Sequence, residues 1–215
     1  MAQFGKYNFM WLTLSLIGLL FGAALTRELP DAVTLQILEI GSIVLLMVSL
    51  LSLKTDRRWI KWFIAILGIM LLQVVFQHVM PGTLFEYAYL LLLLLFFVLA
   101  AWLVGKAVLF TGEVDLNKVV GSISLYLMIG LIFSIVYTIL LEFQPTAIKG
   151  LEAGQWYENM PSTTYFSFVT LTTLGYGDMS PASYIAEVIV ILEAVTGMFY
   201  IAIIVASLIG SLRQR

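Results

Sequence analysis

The stretch TLTTLGYGD, residues 170–178, lies between two long apolar segments and directly follows a loop rich in polar and aromatic residues. Within it, Gly175 and Gly177 alternate with larger residues. Glycine adopts positive φ without a Cβ penalty, so the two glycines allow the carbonyl oxygens of successive residues to point the same way. When several chains bring such oxygens together around one axis, the oxygens replace the hydration shell of a bare cation. The stretch therefore predicts a cation-coordinating segment around which the fold is organised.

A Gly-x-Gly string by itself is also common in ordinary turns. The longer string Thr-Leu-Gly-Tyr-Gly-Asp, residues 173–178, is more specific, and it resembles the selectivity filter of potassium channels. Leu174 stands where valine is commonest in that family. The resemblance implies that Gly177 completes a filter in which four residues coordinate potassium ions, namely Thr173, Leu174, Gly175 and Tyr176.

Residues next to the filter are expected to hold it in place. Asp178 follows it at the outer mouth, where a carboxylate attracts cations or ties the filter to its support. The aromatic body of Tyr176 is suited to packing behind the filter. Tyr165, Phe166 and Phe168 are expected to wedge the preceding segment against the outer helices. The predicted supporting and outer-mouth residues are Thr172, Asp178, Phe166 and Ser167.

The composition predicts an all-α, polytopic membrane protein. The chain has 215 residues, of which 61% are hydrophobic, more than a soluble domain of this size needs. The absence of cysteine excludes disulfides and thiolate metal sites, and one histidine cannot form a metal cluster by itself. The sequence contains no recognisable nucleophile–base pair, so we do not expect an enzyme. We expect no cofactor other than a permeant ion, and no nucleic acid partner.

Several apolar runs approach the roughly 20 residues that cross a bilayer. Residues 162–172 are too short to span and predict a re-entrant half-helix, with Ser162 as a possible cap after Pro161. The six predicted transmembrane helices cover about residues 9–25, 35–53, 63–79, 84–104, 119–141 and 184–212.

The resemblance to potassium channels is strong over residues 119–215, which look like a complete pore domain. Residues 1–104 occupy the place of a voltage sensor, and residues 105–118 predict either an amphipathic interfacial connector or a simple loop. Voltage sensors carry arginines at every third position of the fourth span, but residues 84–104 contain no arginine or lysine. We therefore expect little intrinsic voltage gating. We also expect no cytosolic regulatory domain, since the chain stops at Arg215, shortly after the last span.

The distribution of basic residues predicts the orientation. With the N-terminus inside, only Arg27 and Lys149 fall outside. The basic residues that fall inside are Lys6, Lys54, Arg57, Arg58, Lys61, Lys106, Lys118, Arg213 and Arg215. This positive-inside bias predicts that both termini lie in the cytoplasm and that the filter entrance lies outside. The resemblance to prokaryotic six-span potassium channels implies a prokaryotic inner membrane.

The last span contains several residues with a predicted role. Gly197 resembles the family's inner-helix hinge, although a glycine also permits close packing. Glu193 is not expected to face lipid, and either bonds behind the half-helix, for example to Ser167, or faces the cavity. Glu39, in the second span, lies near the outer interface or meets a polar partner inside the bundle. Small residues that permit close crossing of inner helices recur at Ala202, Ala206 and Gly210.

The sequence therefore favours a potassium-selective channel in the lipid membrane. One filter copy per chain and a fourfold axis imply a homotetramer. Two alternatives remain at this stage, which are a weakly selective cation channel and a non-conducting scaffold that keeps a pore-like fold.

Overall fold

The computed structural model describes residues 9–28, 44–47, 57–77, 83–109, 115–151 and 154–212. Residues 44–47 are helical. The longer helices are α1 (Phe9–Glu28), α2 (Arg57–Gln77), α3 (Thr83–Leu109), α4 (Leu116–Phe143), α5 (Trp156–Leu171) and α6 (Tyr184–Leu212). Two short strands, β1 (Ile148–Lys149) and β2 (Ser180–Pro181), flank α5 and the segment that follows it.

Among the described residues, three helical stretches are long and apolar enough to cross a membrane, and they correspond to the last three predicted spans: Phe85–Leu109, Leu116–Phe143 and Tyr184–Ile204. The apolar part of α1, Phe9–Gly22, is shorter, and α2 occupies the place of the third predicted span. The second predicted span lies outside the described residues except for 44–47, and Lys6, Glu39, Arg213 and Arg215 also lie outside them.

Helices extend into both ends of the predicted connector, residues 105–118. Helix α3 continues to Leu109, because Ala107 and Val108 are buried and the Lys106 ammonium lies 5.5 Å from the centre of the Trp102 ring. Helix α4 begins at Leu116, where the Asp115 carboxylate accepts a hydrogen bond of 2.8 Å from the backbone N–H of Lys118. An acidic side chain in this position caps the free amides of a helix start.

The chain divides into two compact units, and the division falls inside α4, between Met128 and Ile129. In the first unit, α1 packs against the first half of α4. The Thr13 and Ser124 hydroxyl oxygens lie 2.7 Å apart, and the Phe9 ring fills the space that a side chain at Gly121 would need. Helices α2 and α3 meet through an edge-to-face pair of aromatic rings, Phe63 and Phe96, whose centroids are 5.2 Å apart.

The second unit contains the rest of α4, together with β1, α5, β2 and α6. Its buried core consists of Tyr137, Leu140, Leu141, Ala147, Ile148, Phe166 and Ala186. Strands β1 and β2 are antiparallel, with Ile148 opposite Pro181 and Lys149 opposite Ser180. The sheet therefore joins the chain before α5 to the chain that leaves the predicted filter, and both ends of this region are fixed to one another.

Candidate functional site

Helix α5 carries the predicted filter at its C-terminal end, and it is longer than the predicted half-helix. It begins at Trp156, so the predicted start at Ser162 is wrong. The Glu158 carboxylate accepts a hydrogen bond of 3.0 Å from the backbone N–H of Gln155, which is half of a capping box and fixes the helix start earlier in the chain. Pro161 lies inside the helix, where its missing N–H removes only one helical hydrogen bond.

The C-terminal end of α5 holds the main-chain amides of the next residues. The carbonyl oxygen of Val169 accepts hydrogen bonds from the backbone N–H groups of Leu174 and Gly175, at 3.0 and 3.2 Å. Thr172 caps the helix, and its hydroxyl donates to the carbonyl oxygen of Phe168 at 2.7 Å. The amide donors of the segment are thus turned back toward the helix.

The backbone of residues 173–177 has positive φ at alternate positions. The φ angles are 59° at Thr173, 54° at Gly175 and 81° at Gly177. Both glycines adopt this conformation freely. Thr173 is β-branched, and for such a residue positive φ is a genuine outlier that costs on the order of 1–3 kcal/mol. Strain of this kind persists where the surroundings enforce it, which is commonly at a functional site.

Two contacts hold Asp178, the residue that follows the predicted filter. The Tyr165 hydroxyl donates a hydrogen bond of 2.8 Å to its carboxylate. This bond raises the pKa of the Tyr165 hydroxyl, because it holds the phenolic proton. Gly150, next to β1, has φ of 86° and lies so close to the Asp178 carbonyl oxygen that a Cβ would overlap it. Tyr165 is 40% exposed, so its ring does not pack into the core as the predicted wedge required, and its hydroxyl contacts Asp178 instead.

The other two aromatic residues of the predicted wedge contact α4. The Phe166 and Tyr137 rings meet edge to face, with centroids 5.0 Å apart. The Phe168 ring lies against Gly130, where a Cβ would come within 2.6 Å of it. Because Gly130 has no side chain, α5 can approach α4 closely at this level.

A second contact between α4 and α5 consists of four buried side-chain hydroxyls, which we call the hydroxyl cluster: Ser134, Thr138, Thr163 and Thr164. The hydroxyl oxygens of Ser134 and Thr164 are 2.7 Å apart, as are those of Thr138 and Thr163. Residue spacing carries a signal for this cluster, since small polar residues at such intervals on apolar helices mark helix–helix contacts in membranes.

Glu193 of α6 is fully buried behind α5. Its Oε1 lies 2.5 Å from the Ser167 hydroxyl oxygen, and its Oε2 accepts a hydrogen bond of 2.7 Å from the Tyr137 hydroxyl. The Ser167 hydroxyl oxygen is also 2.7 Å from the carbonyl oxygen of Gly130. Of the two positions that the sequence left open for Glu193, the structure shows the one behind the half-helix, in contact with Ser167. Nothing in the sequence pointed to the contact with Tyr137. We call Gly130, Tyr137, Ser167 and Glu193 the Glu193 cluster.

The remaining predicted residues lie along α6. A Cβ at Gly197 would overlap the carbonyl oxygen of Leu171, so the helix passes directly against the C-terminal end of α5. This contact gives Gly197 a packing role, and its role as a hinge stays a prediction. Ala202 and Ala206 are exposed. Gly210 lies near the end of α6, beyond the residues whose surroundings are described.

The ion ligands predicted from the sequence are backbone carbonyl oxygens rather than acidic, histidine or cysteine side chains. Within the part of the chain that the structure describes, no group of three or more histidine, cysteine, aspartate or glutamate residues is placed to hold a metal ion. The segment 173–177 is exposed along its length, and its φ angle is positive at Thr173, Gly175 and Gly177.

Comparison with known proteins gives one match. Residues 123–214 match a family model described as ion channel. The matched region runs from α4 through α5 and the predicted filter to the end of α6. No curated protein and no solved structure matches the chain. The family match indicates an ion channel, and together with the apolar helices it indicates a membrane protein.

Proposed function

We propose that this ion channel is selective for potassium and conducts it passively through a pore formed by four copies of the chain. Potassium is coordinated by the carbonyl oxygens of four residues, with the Thr173 hydroxyl as an additional oxygen ligand: Thr173, Leu174, Gly175 and Tyr176. The observation that carries the proposal is the alternation of positive φ at Thr173, Gly175 and Gly177.

The alternation matters because an ordinary extended backbone turns successive carbonyls to opposite sides. Residues of opposite handedness in succession turn them to the same side, and a row of oxygens facing one axis is what a dehydrated potassium ion needs. The hydrogen bonds from Leu174 and Gly175 to Val169 support this reading, since they hold the amides on the side of α5. The strain at Thr173 is also what a backbone shaped for coordination would carry.

Four chains are required because one row of oxygens covers only one side of an ion. The single chain leaves Leu174 54% and Tyr176 67% exposed. These are the side chains that neighbouring copies would cover around a fourfold axis. Helix α6 also exposes apolar side chains along its length, among them Tyr184, Val188, Leu192, Val195 and Phe199. In a membrane such a surface faces lipid or other copies of the chain.

The rest of the proposed architecture follows from the sequence. Residues 119–215 form the pore domain, and residues 1–104 form a four-helix domain without gating charges, so that six helices cross the membrane. The bias of basic residues favours a cytoplasmic location of both termini, and the membrane we propose is a prokaryotic inner membrane. The opening of the pore does not depend on charges moving in the fourth span.

A flux experiment tests the function. The purified chain, reconstituted in liposomes, is expected to release a potassium gradient, with a reversal potential that follows potassium rather than sodium. Gly175→Ala is expected to abolish potassium flux or selectivity, because a Cβ at a left-handed position costs about 1–2 kcal/mol and turns a coordinating carbonyl.

Gly68→Ala is the matched control. Neither glycine has any atom within 4 Å of the position of an added Cβ, but only Gly175 has positive φ. The control variant is therefore expected to keep its flux. Equal permeability to sodium and potassium would indicate the weakly selective channel, and absence of flux from the unmodified protein would indicate the scaffold.

A further inference from the structure

The Ser167 hydroxyl has two neighbours that both require its single proton. Its oxygen lies 2.7 Å from the Gly130 carbonyl oxygen and 2.5 Å from Glu193 Oε1. A carbonyl oxygen only accepts hydrogen bonds, and an ionised carboxylate also only accepts them. A serine hydroxyl donates once and accepts twice. With an ionised Glu193, one of the two contacts would therefore bring two lone pairs together.

A protonated Glu193 removes this conflict. Its Oε1 then donates to the Ser167 oxygen, and Ser167 donates its own proton to the Gly130 carbonyl. The Tyr137 hydroxyl donates to the remaining oxygen, Oε2. Each short contact in the Glu193 cluster then has one donor and one acceptor. This is the only assignment in which the three contacts are all hydrogen bonds.

The surroundings also favour the neutral acid. Residues 129–143 of α4, 156–171 of α5 and 184–212 of α6 contain no lysine or arginine. From α4 the titratable group that contacts Glu193 is Tyr137, and α5 contributes the Ser167 hydroxyl. The other acids of these segments are Glu142, Glu158 and Glu187. A buried carboxylate without a positive partner carries a large desolvation penalty, and no cation here offsets it.

We propose that Glu193 is a proton-binding site behind the filter, and that its bound proton joins α6, α5 and α4 in the arrangement that supports conduction. When the proton is lost to hydroxide in solution, Ser167 turns its own proton to the new carboxylate. The Gly130 carbonyl then loses that donor, and α5 loses this hydrogen bond to α4. The filter extends from the C-terminal end of the same helix, so its support depends on the proton. This second step rests on the proposed channel function.

The direction in which potassium flux depends on pH follows from these hydrogen bonds. The supported arrangement is complete at low pH, where the carboxyl keeps its proton, and is lost as the pH rises through the titration of Glu193. Potassium flux is therefore expected to fall several-fold between about pH 7 and about pH 10. Glu193→Gln replaces the acid with a group that donates and accepts in the same places and cannot ionise, so it is expected to remove this fall.

Infrared difference spectroscopy of the reconstituted full chain tests the proton directly. The unmodified protein at neutral pH is expected to show the C=O stretching band of a protonated carboxylic acid. Glu193→Gln is expected to remove the band, and Glu187→Gln, which changes an exposed acid on the same helix, is expected to retain it. If the band is absent from the unmodified protein, or persists in Glu193→Gln, the proton-binding site is overturned.

The flux measurement then tests the link to conduction. If Glu193→Gln keeps the same alkaline fall as the unmodified protein, Glu193 is not its cause and the link is overturned. If the unmodified protein shows the infrared band but conducts no potassium at any pH, the proposed channel function fails while the proton-binding site stands. Size-exclusion chromatography of each variant separates these results from a loss of assembly.

Discussion

Replacing Gly197 with alanine tests how closely α6 supports the helix that ends at the filter. The added Cβ would overlap the carbonyl oxygen of Leu171, and the overlapping atom belongs to the backbone rather than to the end of a flexible side chain. Relief must therefore come from movement of α6 or of the last turn of α5. Because the predicted filter begins immediately after that turn, a shift there is expected to disturb ion coordination.

The expected change in the free energy of unfolding of Gly197→Ala is the difference between two opposing effects. Alanine stabilises a helix interior by roughly 0.5–1 kcal/mol relative to glycine. Overpacking a close contact costs typically about 1–3 kcal/mol. We therefore expect Gly197→Ala to destabilise each chain by about 1–2 kcal/mol, and to lower potassium flux by tenfold or so if the loss falls on the conducting arrangement alone.

The assay is the thermal stability of the assembled protein in detergent, followed by potassium flux in liposomes. Gly22→Ala serves as the control, since this glycine also lies inside a helix but has nothing within 4 Å of an added Cβ. It is expected to be as stable as the unmodified protein or slightly more so. The reasoning is refuted if Gly197→Ala behaves like Gly22→Ala in both measurements, because the close approach to Leu171 would then have no energetic consequence.

Three further substitutions have defined outcomes. Tyr165→Phe removes the hydrogen bond to Asp178 and is expected to shorten channel openings in single-channel records, whereas unchanged openings would show that the bond does not hold the outer mouth. Gly121→Ala places a Cβ 2.7 Å from the Phe9 ring and is expected to lower thermal stability by about 1–3 kcal/mol; no change in melting temperature would contradict this. Leu174→Val is expected to keep the reversal potential for potassium, because coordination uses the backbone, and a shift toward sodium would show that the side chain sets selectivity.

The local order of elements around the candidate site could be predicted from the sequence because each element carries a strong signal of its own. The apolar runs that became α4 and α6 are long enough to identify by composition, and Gly175 and Gly177 mark where the backbone must leave ordinary conformations. The predicted start of α5 was wrong because Ser162, directly after Pro161, was taken as the cap of the helix. The decisive signal was the pairing of Gln155 with Glu158 earlier in the chain.

Contacts between helices were harder to predict, because they depend on how each helix is rotated about its own axis and on how far it is shifted along its neighbour. The sequence offered two positions for Glu193, and nothing in linear spacing pointed to Tyr137 on another helix. Tyr165 was expected to pack with its aromatic neighbours, but its hydroxyl reaches Asp178. The positive φ of Thr173 is also invisible in the sequence, since a β-branched residue is among the least expected at such an angle.

The two-stranded sheet has a consequence for how the outside of the protein could influence its conduction path. Residues 148–149 pair with residues 180–181 as antiparallel strands, and Gly150 lies close to the carbonyl oxygen of Asp178. A toxin, an antibody or a neighbouring protein that pulled on this sheet would act on the outer mouth of the predicted filter without entering the ion pathway. The outer mouth of the pore would then respond to force applied at its side, and an inhibitor would not need to block the pore itself.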